Sequence, residues 1–221
     1  MSTPPRIRAL VTLGPTYEAL DAIRFIGNRS SGRMGLQIAK ALQQAGCEVR
    51  VLAGVCQPDG LDSLPHVERF RTAEQLRDLL TAHWPAHDVL VMAAAVADWR
   101  AKAPEQGKYR RGSGEWMLAL EPVPEILGSL QSRRDQFIIG FALEPQEELL
   151  DSARRKLQRK RADCIVANPL ETMDSSSICG SLLWTDGRVQ QPAGAQSKVD
   201  FAHWLTAQVL PAVRTRCGDT K

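Results

Sequence analysis

The run Asn28-Arg29-Ser30-Ser31-Gly32-Arg33-Met34-Gly35 has the residue types of an anion cradle. Small residues let a backbone approach a ligand closely, and a helix start offers free N–H groups and the positive end of its dipole. The same run would serve as a plain helix start with Ser30 or Ser31 as N-cap. Spacing alone leaves the two readings level. The run is neither G-x-G-x-x-G nor a Walker loop.

Three further groups could do chemistry. Ala93-Ala94-Ala95-Val96-Ala97-Asp98 closes a strongly apolar strand. Three alanines there leave room for a flat group, and Asp98 could accept hydrogen bonds from a ribose or base; equally, the alanines could pack under a helix while Asp98 caps a turn. Lys108, Arg110 and Arg111 form a basic cluster, with Lys108 and Arg110 on one face if the segment is extended. Cations on a mobile arm suit a polyphosphate whose charge must be neutralised, though a solvated strand would look the same. Lys156 and Lys160 stand one helical turn apart and share a face. The helix dipole alone would favour them near a C-terminus. His66, His83, His87 and His203 have no Ser or Cys partner at a catalytic spacing.

Short apolar runs alternate with amphipathic stretches and position these groups. Strands are predicted over Ala9–Leu13, Val49–Ala53, Asp88–Ala95, Phe137–Leu143 and Asp163–Ala167. Helices are predicted over Gly35–Ala45, Thr72–Ala82, Gln146–Arg161 and Val199–Leu210. Pro211 should end or kink the last one. The alternation predicts one α/β domain over 1–221, a Rossmann-like, mostly parallel sheet flanked by helices. Two segments break the rhythm and read as hairpin arms: 108–120, turning at Gly112-Ser113-Gly114, and 182–191, turning at Asp186-Gly187. Residues 215–221 read as a loose tail.

Composition bounds the rest. With 221 residues, 43% hydrophobic, the chain can bury a substantial core, and a net charge of +3 gives no case for nucleic acid. Five scattered cysteines with no Cys-x-x-Cys pair support neither a disulfide framework nor a zinc site, and suit a reducing, cytoplasmic setting. Neither a signal peptide nor a membrane-spanning segment is expected.

Taken in order, Val11–Thr16, Asp21–Gly35, Ala93–Asp98, Lys108–Arg111, Gly140–Glu144 and Ile165–Asn168 resemble phosphopantothenoylcysteine synthetase over nearly the whole chain. The Asn-Arg-Ser-Ser-Gly-x-Met-Gly stretch is highly specific to it. In many bacteria that enzyme is the C-terminal half of a fused decarboxylase–synthetase; here it is expected to stand alone. The resemblance implies a homodimer that joins 4′-phosphopantothenate and cysteine through an acyl-nucleotide, using Mg²⁺ and CTP or another NTP, with a separate flavin-dependent decarboxylase as a candidate partner. It implies that Ser30, Gly32 and Gly35 cradle the triphosphate and that Asn28 holds the pantothenate side and the acyl-nucleotide. Lys108 would cover the α-phosphate, and Ala95, Asp98 and Phe141 would surround the nucleoside. Lys156 and Lys160 match a family pair. Gly14 and Ala94 join the nucleotide side, and Arg24 and Asn168 the substrate side. Metal ligands stay unassigned.

Departures from the family pattern carry their own expectations. Gly14-Pro15-Thr16-Tyr17-Glu18 stands for the usual Gly-Gly-Thr-Arg-Glu, and Pro122-Val123-Pro124-Glu125-Ile126 for Lys-Asn-Pro-Asp-Ile. Val123 in place of a hydrogen-bonding Asn implies weaker base discrimination. Two alternatives remain: a drifted, non-catalytic nucleotide-binding relative, and an NAD(P)- or flavin-binding Rossmann protein.

Overall fold

The computed structural model describes residues 6–218 apart from 113, 174 and 176. In chain order the elements are β1 (Arg8–Leu13), β2 (Tyr17–Ala19), β3 (Phe25–Gly27), α1 (Arg33–Gln44), β4 (Glu48–Ala53), β5 (Val67–Arg69), α2 (Ala73–His83), β6 (Val89–Met92), β7 (Trp99–Ala101), β8 (Leu120–Pro122), β9 (Phe137–Glu144), α3 (Leu149–Arg159), β10 (Cys164–Pro169), β11 (Ser177–Ile178), β12 (Ser181–Trp184), β13 (Val189–Gln190), β14 (Gln196–Ser197) and α4 (Lys198–Gly218).

Eight strands form the central sheet in the order β13-β12-β10-β9-β6-β1-β4-β5. The six from β10 to β5 are parallel, and β12 and β13 close one edge antiparallel. The central strands are apolar on both faces because helices cover both. Ala9, Leu10, Val11 and Leu13 of β1 are fully buried. Leu36, Ile38 and Leu42 of α1 and Phe201, Leu205 and Val209 of α4 pack one face. Leu76 and Leu80 of α2 and Leu149, Ala153 and Leu157 of α3 pack the other. The result is the α/β architecture that the alternation predicts.

The chain runs outward in both directions from the β1/β6 boundary, so the topological switch lies there. Ligands of open α/β sheets bind at such a crevice, outside the carboxyl ends of the strands. The loops starting at Gly14 and Ala93 leave from that point.

Three segments differ from the sequence reading. The arm read at 108–120 is a longer excursion: β7 and β8 pair antiparallel at its base, and the described residues between them carry no strand. In place of a ladder it has contacts such as Tyr109 stacked on Trp116 at 4.5 Å and Ala22 N–H donating to the Gly107 carbonyl at 3.1 Å. Pro211 does not end the last helix, which continues to Gly218. A proline inside a helix costs about 3 kcal/mol, and tertiary contacts outweigh it here. Val213 is fully buried, Arg216 donates to the Gln136 carbonyl at 3.2 Å, and its guanidinium also pairs with Asp163. Residues 215–218 of the expected loose tail are therefore helical, and 219–221 lie outside the described residues. The short hairpin β2–β3, which the periodicity did not reveal, lies between β1 and α1 in the chain.

Candidate active site

The residues between β1 and α1 do not form a capped helix start. The N-cap of α1 is Gly32, in the left-handed region at φ 71°, and no side chain hydrogen-bonds to it or to the first turn as a cap. No acidic residue lies in that turn. Neither Ser30 nor Ser31 takes the capping role, so among the described residues no capping side chain takes the first N–H groups of α1 from an outside acceptor. Two glycines make the geometry possible. A Cβ at Gly32 would lie 2.7 Å from the Cys56 Sγ, and one at Gly35 would lie 2.5 Å from the Leu13 Cβ. Helix α1 therefore starts pressed against β1.

The Ala93–Asp98 loop is laced to the first loop by backbone and buried threonines. Ala95 N–H donates to the Gly14 carbonyl at 2.9 Å, and Thr16 N–H to the Ala95 carbonyl at 3.2 Å. Thr12 Oγ1 accepts from Ala94 N–H at 3.1 Å and Thr16 Oγ1 from Ala97 N–H at 2.9 Å. Both threonines are fully buried. They satisfy N–H groups that a flat, apolar loop would otherwise leave bare. Neither threonine was singled out from sequence; for Thr12 the available signal was a lone hydroxyl inside an otherwise apolar strand, and Thr16 in the loop after it offered none.

These two loops wall a cavity of about 560 Å³ at the switch point. Asn28, Ser30, Gly32, Gly35, Ala94, Ala95, Asp98, Phe141, Lys156, Lys160 and Asn168 line it, all of them expected there from sequence. Val123, Pro124 and Glu125 line it too, held in place by the Val123 N–H bond to the Asp98 carbonyl at 2.9 Å. Lys198 lines the same cavity and was missed. Asn28 Nδ2 donates to the Val96 carbonyl at 2.8 Å, which fixes the donor end of its amide. Asn168 Oδ1 is buried with no hydrogen-bond partner among the described residues.

The two helix lysines differ. Lys156 is ion-paired with Glu144. Burial pushes the Lys160 ammonium below the ordinary lysine pKa, an effect that nearby Glu125 partly offsets. Cysteine chemistry is not favoured at the back of the cradle, where burial pushes the Cys56 thiol up.

Gly14, Arg24 and Lys108 are outside the cavity lining. Gly14 is left-handed at φ 80°, and a Cβ there would run into Cys56. Its part is to let the first loop pass. Arg24 is occupied by the arm: it pairs with Asp21 at 2.6 Å, donates to the Tyr109 carbonyl at 3.4 Å, and lies 5.0 Å over the Trp116 ring. Lys108 is exposed between two anchored neighbours. Ala22 N–H donates to the Gly107 carbonyl at 3.1 Å and Tyr109 N–H to Asp21 Oδ2 at 3.2 Å. Asp21 is buried, and backbone donation from Arg24 leads the contacts that hold its carboxyl below the usual range.

Among the described residues no group of three or more His, Cys, Asp or Glu side chains is arranged to hold a metal. No helix of the described residues is long and apolar enough to cross a membrane.

A family model described as the C-terminal domain of DNA/pantothenate metabolism flavoproteins matches residues 6–212. The coenzyme A biosynthesis bifunctional protein CoaBC of Mycolicibacterium smegmatis is 40% identical over 177 residues, covering 73% of this chain and 42% of that protein. The chain spans about half the length of the curated relatives it matches. The crystal structure of the C-terminal domain of a CoaBC protein superposes with a TM-score of 0.78 at 29% identity, covering 95% of this chain and 96% of that one. A mutant of Cab2, in complex with phosphopantothenate-cysteine, superposes at 0.80 with 17% identity, over 97% of this chain and 88% of that one; this is a likeness of fold.

Proposed function

The chain belongs to the family of the DNA/pantothenate metabolism flavoprotein C-terminal domain, and from that premise we propose that it is a phosphopantothenoylcysteine synthetase acting in coenzyme A biosynthesis. One observation carries the reading. The uncapped start of α1 opens into the cavity that Asn28, Asp98, Lys156 and Lys160 also line. Such a start binds phosphate through N–H groups and dipole together. A dinucleotide-binding Rossmann site is the poorer fit, because a hairpin separates β1 from α1 where that motif needs a tight turn.

Under this reading the substrate carboxylate attacks the α-phosphate of a nucleoside triphosphate, and pyrophosphate leaves. The cysteine amine then attacks the acyl carbon of the acyl-nucleotide, loses a proton, and the nucleoside monophosphate leaves with the acyl-oxygen bond broken. Ser30, Gly32 and Gly35 cradle phosphate. The remaining N–H of Asn28 donates to the acyl oxygen as charge gathers there. Lys108 reaches the α-phosphate only when the 102–119 segment swings over the cavity, since it stands outside the lining in the resting chain. Ala94, Ala95, Asp98 and Phe141 receive the nucleoside, and Asn168 offers a buried acceptor to the substrates. Mg²⁺ in such sites is held chiefly by phosphate oxygens and water. The carboxylates of Asp98 and Glu125 in the lining suit that arrangement, and the metal would offset triphosphate charge.

CTP is the triphosphate expected, with loose discrimination, because Val123 offers the base an apolar side chain. A homodimer is also part of the proposal. Ile23, Phe25, Trp99, Met117 and Leu120 are exposed apolar residues on the β2–β3 hairpin and the β7–β8 arm, which lie against each other. Five free cysteines, two of them buried, suit a reducing cytoplasm, and a flavin-dependent decarboxylase is the expected supplier of the next step.

The test is pyrophosphate release with phosphopantothenate, Mg²⁺, cysteine and each of the four common triphosphates in turn. Release that requires phosphopantothenate supports the proposal. Release with none of the four favours a non-catalytic relative.

A further inference from the structure

Lys198 is the first residue of α4 and lines the cavity with the start of α1. Nothing about helix stability asks for it there. A cation in a first helical turn opposes the dipole. The turn is already served by its neighbours. Ser197 Oγ accepts from Asp200 N–H at 3.1 Å and donates to the Asp200 carboxylate at 2.7 Å, while Asp200 supplies the negative charge that a helix start favours. Ser197, Val199 and Asp200 are exposed, whereas Lys198 between them is partly buried on the cavity side. Its backbone is held from behind. Ser197 and Gln196 pair with Ser177 and Ile178 in the β11–β14 ladder, and α4 packs along α1. Ile178 lines the cavity as well. A rigid backbone thus holds Lys198 in the lining of the cavity into which the uncapped turn of α1 opens. Lys156 and Lys160 enter from α3, on the other face of the sheet.

We propose that Lys198 is a further anion-binding residue of this site, closing with the first turn of α1 on a phosphoryl group of a bound phosphate ester. The inference rests on the synthetase reading for the identity of that ester. Two phosphoryl groups share the chemistry: the terminal end of the triphosphate and the phosphate of 4′-phosphopantothenate. Lys198 takes the first, because the triphosphate cradle is proposed at the α1 turn. Lys198 then grips the pyrophosphate end, while Lys160 stands on the α3 side of the cavity.

The test measures dissociation constants of the full chain for CTP, CMP, inorganic pyrophosphate and phosphopantothenate, in wild type, Lys198→Ala and Lys198→Arg. Thermal melts of each variant, matched to wild type, certify the fold. A lost charge-assisted hydrogen bond predicts CTP and pyrophosphate binding weakened about 10-fold to 100-fold in Lys198→Ala. CMP and phosphopantothenate should be unchanged, and Lys198→Arg should recover part of the loss. Weakening of phosphopantothenate alone overturns the assignment to the triphosphate and moves Lys198 to the other ester. No change in any ligand overturns the proposal altogether. If Lys198→Ala fails to fold, the Lys198→Arg affinities decide: CTP and pyrophosphate weakened, with CMP unchanged, keeps the proposal, and uniform affinities reject it. Wild type that binds none of these ligands overturns the synthetase reading itself, and the proposal with it.

Discussion

Asn28 Nδ2 lies 2.8 Å from the Val96 carbonyl, so an amide from the first loop is held by the loop of the neighbouring sheet strand across the switch point. One amide hydrogen is spent on that bond. The residue that carries the other lines the cavity. Positioned donors of this kind stabilise a developing oxyanion without reorganisation at the moment of reaction. The bond also makes the amide's placement depend on the Ala93–Asp98 loop, which in turn depends on Thr12 and Thr16.

Thr16→Val tests that dependence. The hydroxyl is fully buried and accepts the Ala97 N–H at 2.9 Å. Replacing it by a methyl leaves that N–H without its partner, at a cost of about 1–3 kcal/mol. Urea unfolding should report the loss, and nucleotide affinity should fall with it as the loop loosens.

Gly35→Ala should act through the helix-to-strand contact. The new Cβ would stand 2.5 Å from the Leu13 Cβ and 3.2 Å from the Thr12 carbonyl oxygen, neither of which is a flexible side-chain end. Helix α1 must shift. Overpacking of this kind costs about 1–3 kcal/mol. Denaturant midpoints and phosphate-ester affinity should both drop.

Asp21→Asn separates the turn from the arm. Oδ1 accepts from Ile23 and Arg24 N–H, and Oδ2 from the Arg24 guanidinium and Tyr109 N–H. The amide can keep the first pair but faces the second with a donor. The arm should detach while the turn survives. Limited proteolysis within 102–119 should then speed up on the order of tenfold, because cleavage follows the open population.

The pH dependence of nucleotide binding should carry the mark of Lys160. Burial lowers its pKa, so the charged form is disfavoured in the folded chain. The unfolded state therefore holds more protons in the window between the lowered value and the ordinary 10.5. Folding stability gains from this group as pH rises through that window, while the cavity loses a cation over the same range. Triphosphate affinity should begin to fall at a pH below the usual lysine range. Lys160→Arg should move that fall upward, since a guanidinium stays protonated. A dissociation constant followed against pH for both proteins checks it.

Much of this was legible in the sequence because burial on both faces writes itself as continuous apolar runs, as in Ala9–Leu13 and Val89–Met92. The site loops were legible because their small residues and charges fall at strand ends. What was hidden depends on contacts between distant segments. The three-residue strands of β2–β3 and β7–β8 are too short to show a period. Pro211 is a local stop signal overruled by Val213 and Arg216. Gly32 takes the cap position for which Ser30 and Ser31 were equally eligible, and the tertiary fold that brings Cys56 against it is not written in the local sequence. Lys198 stands far along the chain from the cradle, and its signal, a cation in a first helical turn, requires knowing where α4 begins.

The central claim is that this cavity builds an acyl-nucleotide and then transfers it. Rapid quench with mass detection of phosphopantothenoyl-nucleotide tests this most directly. With cysteine omitted, wild type should accumulate the intermediate and release pyrophosphate in equal amount. Asn28→Ala should accumulate it even with cysteine present, transfer slowing by about 10²–10³ for a lost positioned donor. Lys108→Ala should form little of it under either condition. Absence of any acyl-nucleotide from wild type, with every triphosphate tried, would contradict the account.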